Sequence, residues 1–194
     1  MQTAVAIIRE EHRSFVAVLH GLLYLTREIR ARRLDPDFAL FDAIHRYIEA
    51  FPEKLHHPKE DAYVYARLRE QCAEAEGIIA ELEAEHVQGR VLIANLAAAL
   101  DRYRRDGAAA FTAFDREVAT YTDFHWTHMR KEEDVALPLA EAALTADDWQ
   151  AIDAAFASND DPLVGVTATR ESHALFRRIV NPAPPPIGVG PSHA

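Results

Sequence analysis

The chain has 194 residues, 49% hydrophobic and 27% charged, with a formal net charge of −10 at pH 7. One domain of this size buries a substantial core, and the acidic balance argues against a general nucleic-acid binder or an anionic membrane surface as partner. No apolar run approaches a membrane span, charges at Arg9, Glu10 and Glu11 come too early for a secretory signal, and the single Cys72 has no internal partner, so a reducing cytoplasm is the expected location.

The first predicted helix covers 4–33, where Ile7, Ile8, Phe15, Val18, Leu19, Leu22, Leu25 and Ile29 recur at steps of three and four. Leu34 to Asp37 stops it, and Asp35-Pro36 suits the start of a second helix over 36–70. Pro52 and Pro58 lie inside that second helix and predict a kink or break around His56. A third helix spans 74–104 and is closed by Asp106-Gly107; a fourth spans 108–137, with Pro138 at its end or at a bend. Thr145-Ala146-Asp147-Asp148 opens a short helix to about Phe156, a turn follows at 158–162, and a last helix is expected near 166–180 before a Pro- and Gly-rich tail. No strand pattern competes. The expected fold is all-α: an up-down-up-down four-helix bundle over 1–144, with a C-terminal helical extension and tail over 145–194 packed on or beside it.

Ten histidines are many for such a chain. His56 and Glu60 stand four apart, as do His128 and Glu132, so each pair shares a helix face. Residues equally far from the turn of an antiparallel hairpin lie at one height. The midpoint of His12 and His56 is 34, that of the His56/Glu60 pair and His86 is 72, and that of His86 and His128 is 107; all three fall in predicted loops. His12, His56, Glu60, His86, His128 and Glu132 should therefore share one level. The separations of 44 (His12 to His56) and 42 (His86 to His128) suggest two similar hairpins and a pseudo-two-fold site. Six ligands are too many for one tetrahedral zinc and suit two ions of intermediate softness bridged by the carboxylates, with positions left open for a small molecule. With imidazoles outnumbering carboxylates, the set leans toward binding or reducing oxygen species.

The motifs Glu11-His12-Arg13, His56-His57-Pro58-Lys59-Glu60-Asp61, Glu83-Ala84-Glu85-His86 and His128-Met129-Arg130-Lys131-Glu132-Glu133 resemble those of hemerythrin-like proteins of the bacterial HHE cation-binding type, over roughly 4–140. The resemblance implies a four-helix bundle with a non-haem centre of two bridged iron ions, manganese or zinc being compatible with the same donors. It makes His12, His56, His86 and His128 terminal ligands and Glu60 and Glu132 bridges. Oxygen-carrying hemerythrins have a second histidine four residues along the third helix, where this chain has Arg90 after His86 and Leu82 before it. That departure favours redox reactivity, sensing or iron handling over oxygen carriage. The ligand implied is dioxygen, nitric oxide or peroxide; neither nucleic acid nor membrane is expected as partner, and a homodimer is compatible.

Around this set, His57 is expected in solvent, about 100° round the helix from His56. Glu133 rivals Glu132. His125, one turn before His128, is a core or rim histidine or else a fifth ligand or supporting group. His20, His45, His173 and His193 are expected outside the ligand set, Tyr24, Tyr47, Tyr63 and Tyr121 to pack, and the acidic stretch from Glu74 to Glu85 to face solvent. A second reading stays open: an interaction module whose metal is structural or sensory and whose residues 145–194 engage a partner.

Overall fold

The computed structural model describes residues 3–158, which are helical almost throughout and contain no strand. The expected turn at 158–162, the helix near 166–180, the tail, His173 and His193 fall on or beyond this limit.

Helix α1 (Thr3–Arg30) leads into a loop that contains Leu34. The next helix is capped by Asp37, whose side chain accepts from the Leu40 N–H at 3.0 Å, so the cap lies two residues later than the Asp35-Pro36 signal implied. The second arm is not one α-helix. It runs as α2 (Phe38–Ala50), a π-wound turn (Pro52–His56), α3 (His57–Lys59), a second π turn (Glu60–Tyr65) and α4 (Ala66–Gln71). Pro52 has no N–H to give, and the chain responds by widening: the His56 N–H reaches back five residues to the Phe51 carbonyl. The prolines thus rewind the arm instead of breaking it. A 3₁₀ turn (Ala73–Ala75) leads to α5 (Glu76–Asp106) and then to α6 (Ala108–Lys131). The two are joined by Gly107 at φ +63°, a conformation that penalises any side chain. A third π turn (Glu132–Ala136) follows, then α7 (Leu137–Ala143), which runs past Pro138, and α8 (Ala146–Phe156), which opens on a reciprocal Thr145–Asp148 capping box.

The buried apolar residues fall into two clusters. One joins Leu19, Leu25, Phe41, Ile48, Leu100 and Phe114 toward the loops at 31–37 and Gly107. The other joins Ile8, Leu68, Ile79, Trp149, Ile152 and Phe156 at the opposite end, so α8 supplies core there. Val135, within the span of the fourth predicted helix, is exposed.

Near the end of α1, Arg33 donates two bonds to the buried Glu28 carboxylate, at 2.6 and 2.8 Å, and these hold its pKa down to about 2. The folded value lies below the ordinary 4.5, so this stabilisation is complete above about pH 4.5 and is lost as pH falls toward 2. Glu28→Gln should flatten the acid limb of a stability-versus-pH curve in that window and leave its alkaline limb unchanged. At the other end, Ile152→Ala should cost about 2–5 kcal/mol in urea unfolding, and Thr145→Ala about 1 kcal/mol.

Candidate metal centre

Between the two apolar clusters lies a polar layer. His12 comes from α1, His86 from α5 and His128 from the last turn of α6. His56 closes the first π turn, Glu60 opens the second and Glu132 opens the third. All six are buried. The wide turns therefore fall where the second and fourth arms present their histidines and carboxylates, a placement common for π-bulges.

The imidazoles meet in pairs through their inner nitrogens: His12 Nε2 is 3.2 Å from His56 Nε2, and His86 Nε2 is 3.1 Å from His128 Nε2. Each carboxylate turns one oxygen to each pair. Glu60 Oε1 is 3.2 Å from His56 Nε2, while its Oε2 is 3.7 Å from His86 Nε2. Glu132 Oε2 is 3.2 Å from His12 Nε2, while its Oε1 is 3.4 Å from His128 Nε2. The equal-height arithmetic on the loops thus brought all six together.

Each outer nitrogen has a carboxylate of its own. His12 Nδ1 lies 2.8 Å from Glu133, His56 Nδ1 2.6 Å from Glu11, His86 Nδ1 2.7 Å from Asp61 and His128 Nδ1 3.0 Å from Glu85. An ionised carboxylate only accepts, so it fixes the proton on Nδ1 and leaves the Nε2 lone pair facing inward. These partners obey the internal repeat. Glu11 and Glu85 immediately precede His12 and His86, and Asp61 and Glu133 immediately follow Glu60 and Glu132. Each hairpin crosses its own acid-His onto its His-x-x-x-Glu, through Glu11 and Glu85. The two hairpins then exchange Asp61 and Glu133. Glu133 is accordingly the outer partner of His12, and it is Glu132 that lies on the inner face.

The fit of a cation can be tested on these atoms. Two lone pairs facing at 3.1–3.2 Å repel unless a proton or a metal lies between them. For a metal–nitrogen bond of about 2.1 Å, adjacent ligands sit about 3.0–3.4 Å apart, which matches both pairs. Glu60 Oε2 and Glu132 Oε2 are buried without a hydrogen-bond donor. Without a metal, protons take the role. Burial opposes charge on His12 and His86, but their carboxylates outweigh it and raise the pKa to about 9 and about 10 respectively; His56 is raised as well. The donor set fits a pair of cations.

Residues 3–140 match the family model described as the hemerythrin HHE cation binding domain. The chain belongs to the hemerythrin HHE family. Comparison with curated proteins and with solved structures gave no match. The family supplies a helical, cation-binding domain, and the six converging side chains lie within the matched residues.

Several surroundings of this hemerythrin-like site differ from expectation. His57 is 3% exposed instead of facing solvent, because the π turn ending at His56 rotates it inward. One nitrogen each of His57, His86 and His128 lie within 4.8 Å of one another. The His57 ring nevertheless stacks on His86, with centroids 4.3 Å apart and planes 13° apart. In-plane lone pairs of nearly parallel rings do not converge on one ion, so in this arrangement His57 lines the site. His125 is buried, and Gly89 of α5 leaves it room, since a Cβ there would stand 3.3 Å from His125 Cε1 and 3.2 Å from Glu53 Oε1. Burial pushes Glu53 up to about 7 and holds His57 and His125 well below the usual imidazole range. Arg90 is exposed. In the acidic stretch Glu74, Glu76 and Glu81 face solvent and Glu83 pairs with Arg69 at the surface, while Glu85 departs from that face and holds His128.

Tyr24, Tyr47 and Tyr121 pack in the core and Tyr63 is exposed. The tyrosine that reaches the site is Tyr65, whose buried hydroxyl donates to Glu132 Oε1 at 2.5 Å. Its place at the end of the π turn opened by Glu60 was not visible while that stretch was read with an α-helical period. Replacing Asp61 by Asn removes the charge that fixes the His86 tautomer, and cation affinity should weaken about 10–100-fold in a competitive chelator titration. The helical circular dichroism of Asp61→Asn should stay unchanged, since the Asp61 side chain is 38% exposed.

Proposed function

We propose that this hemerythrin-like chain holds two non-haem iron ions in an up-down-up-down four-helix bundle and binds or reacts with dioxygen, peroxide or nitric oxide in redox response or sensing. The observation that carries this reading is the double-sided reach of Glu60 and Glu132, each with one oxygen toward His12/His56 and the other toward His86/His128. That is the arrangement two bridging carboxylates need. His12 and His56 would hold one ion, His86 and His128 the other. Manganese and zinc suit the same donors, so iron is assigned from the family and from the imidazole-rich set.

The metals would supply redox change and open positions for a small ligand. The chain supplies the rest. Glu11, Asp61, Glu85 and Glu133 keep the imidazoles in the ligating tautomer. Tyr65 holds a proton at Glu132 Oε1. The apolar clusters at either end exclude water from the layer. A cytoplasmic location and a homodimer belong to the same proposal; among the described residues no helix is long and apolar enough to cross a membrane.

Metal analysis of protein from iron-rich medium should give two irons per chain, with charge-transfer bands that bleach with dithionite and return with air or peroxide. Glu60→Ala should abolish both metal retention and the bands. Iron content near zero in the parent chain would refute the reading. The alternative, an interaction module with a structural metal, predicts unchanged bands under air and peroxide together with a change of oligomeric state on metal loading.

A pH dependence follows from the raised imidazole values. His12 and His86 carry raised values in the metal-free protein, and each facing pair of imidazoles has room for one proton between its Nε2 atoms, so cation binding must expel those protons. Affinity should climb as pH rises from 7 to about 10, the reverse of the stabilising effect of those protons on the metal-free fold. Calorimetry in two buffers of different ionisation enthalpy should report about two protons released per chain at pH 7, one from each facing pair.

A further inference from the structure

A cavity of about 410 Å³ opens beside His12, lined by Val16, Trp126, Met129, Arg13 and Arg130 among others. It is far larger than dioxygen, nitric oxide or peroxide requires, since a water-sized guest takes about 30 Å³. It lies within the roughly 300–1,000 Å³ of sites that hold organic molecules. Val16 and Trp126 are half-buried and packed on the core, so the apolar wall is fixed, and Trp126 is further held by the His20 ring at 4.8 Å.

The internal repeat provides a control for this wall. Shifting by 74 residues carries His12 to His86, and shifting by 72 carries His128 back to His56. The same shifts carry Val16 to Arg90, Trp126 to Lys54 and Met129 to His57, and carry Arg13 to Val87 and Arg130 to Pro58. On the His12 face three apolar side chains stand where the other face has Arg, Lys and His. Two arginines stand where the other face has Val and Pro. The ligand positions are shared between the faces; these five are all different. An apolar wall of this kind is not needed to build the six-residue layer, because the other hairpin builds its half without one.

The wall selects an occupant. The Trp126 indole and the Met129 thioether suit a planar aromatic ring. Arg13 and Arg130 are largely exposed, and their pairings with Glu10 and Asp134 are surface contacts of little strength, so both guanidiniums can turn to an anionic group. Glu133 is already engaged by His12 Nδ1. We propose that this cavity is a binding site for a small planar aromatic anion, such as an aromatic carboxylate, seated against His12. Its occupancy would be felt at the metal layer through that imidazole. The proposal goes beyond the reading of the centre and does not need metal to be bound.

The test is calorimetric titration of the metal-loaded full chain with 2-naphthoate, repeated on metal-free protein. Saturable binding of one molecule per chain is expected in both, so the result stands apart from the metal reading. Trp126 fluorescence should be quenched in parallel; the other tryptophan, Trp149, is buried in the distal apolar cluster. Val16→Gln puts a long, uncharged polar chain on the apolar wall. It should weaken binding about tenfold or more while metal content and helical circular dichroism stay at parent values. Cyclohexanecarboxylate, which keeps the charge and loses the flat ring, should bind about tenfold more weakly than naphthoate. No saturation by naphthoate at millimolar concentration, or equal affinity in the parent and in Val16→Gln, would overturn the proposal.

Discussion

The structure depends on one costly arrangement: carboxylates and imidazoles buried together in the middle of a helical bundle. Glu60 and Glu132 face the same small volume from opposite sides, and Glu11 is buried just behind it. Carboxylates so placed cannot all stay ionised in a low-dielectric interior unless positive charge sits among them. In the metal-free protein that charge is the protons held between the facing imidazoles, His12 with His56 and His86 with His128. The layer is thus built for positive charge before any particular cation is considered.

The rest of the fold holds that layer in place. Apolar clusters lie on both sides, and each is closed by its own devices. Toward the loops the closure is aromatic, with the Phe114 ring in contact with both Phe41 and Tyr103. Toward the termini it is α8, which brings Trp149, Ile152 and Phe156 into the core and is tied by side-chain bonds at two further points. Asp153 accepts from the Ala4 N–H at 2.7 Å, and Lys59, one residue before Glu60, donates to the Ala155 carbonyl at 2.9 Å. The helix beyond the fourth arm therefore buttresses the very turn that presents Glu60.

What the sequence disclosed and what it withheld divide along physical lines. The height of each histidine was legible because hairpin geometry depends only on counting from a turn, and Leu34, Cys72 and Gly107 all sit in or beside the connections. Angular position was less legible, because it presumes a constant helical period. Pro52 was a visible warning, but whether a chain answers a proline by kinking or by widening depends on which carbonyls its neighbours can still reach. The π turns moved His57 inward and brought Tyr65 to Glu132, two placements that a 3.6-residue wheel cannot give. The outer carboxylates were present in the quoted motifs, beside every histidine-bearing step. Their roles stayed hidden because each one serves a histidine of a different arm, and only the assembled bundle shows which.

The internal repeat separates what the two halves must share from what each is free to vary. Both halves keep an acid before the lone histidine and an acid after the inward glutamate, because tautomer control is required at all four imidazoles alike. They part at the next positions outward. Glu53 and His125 occupy one register of the repeat and face each other at 3.9 Å, an acid in one half and an imidazole in the other. His57 and Met129 occupy another register, and they place a buried imidazole against His86 and a thioether beside His12. A symmetric donor set inside asymmetric walls gives two halves of the layer with the same donors and different access. The His86/His128 side is packed by stacked rings, while the His12/His56 side adjoins the cavity under Trp126. Chemistry that needs one position to hold and the other to receive would be served by keeping the ligands duplicated and letting only their surroundings diverge.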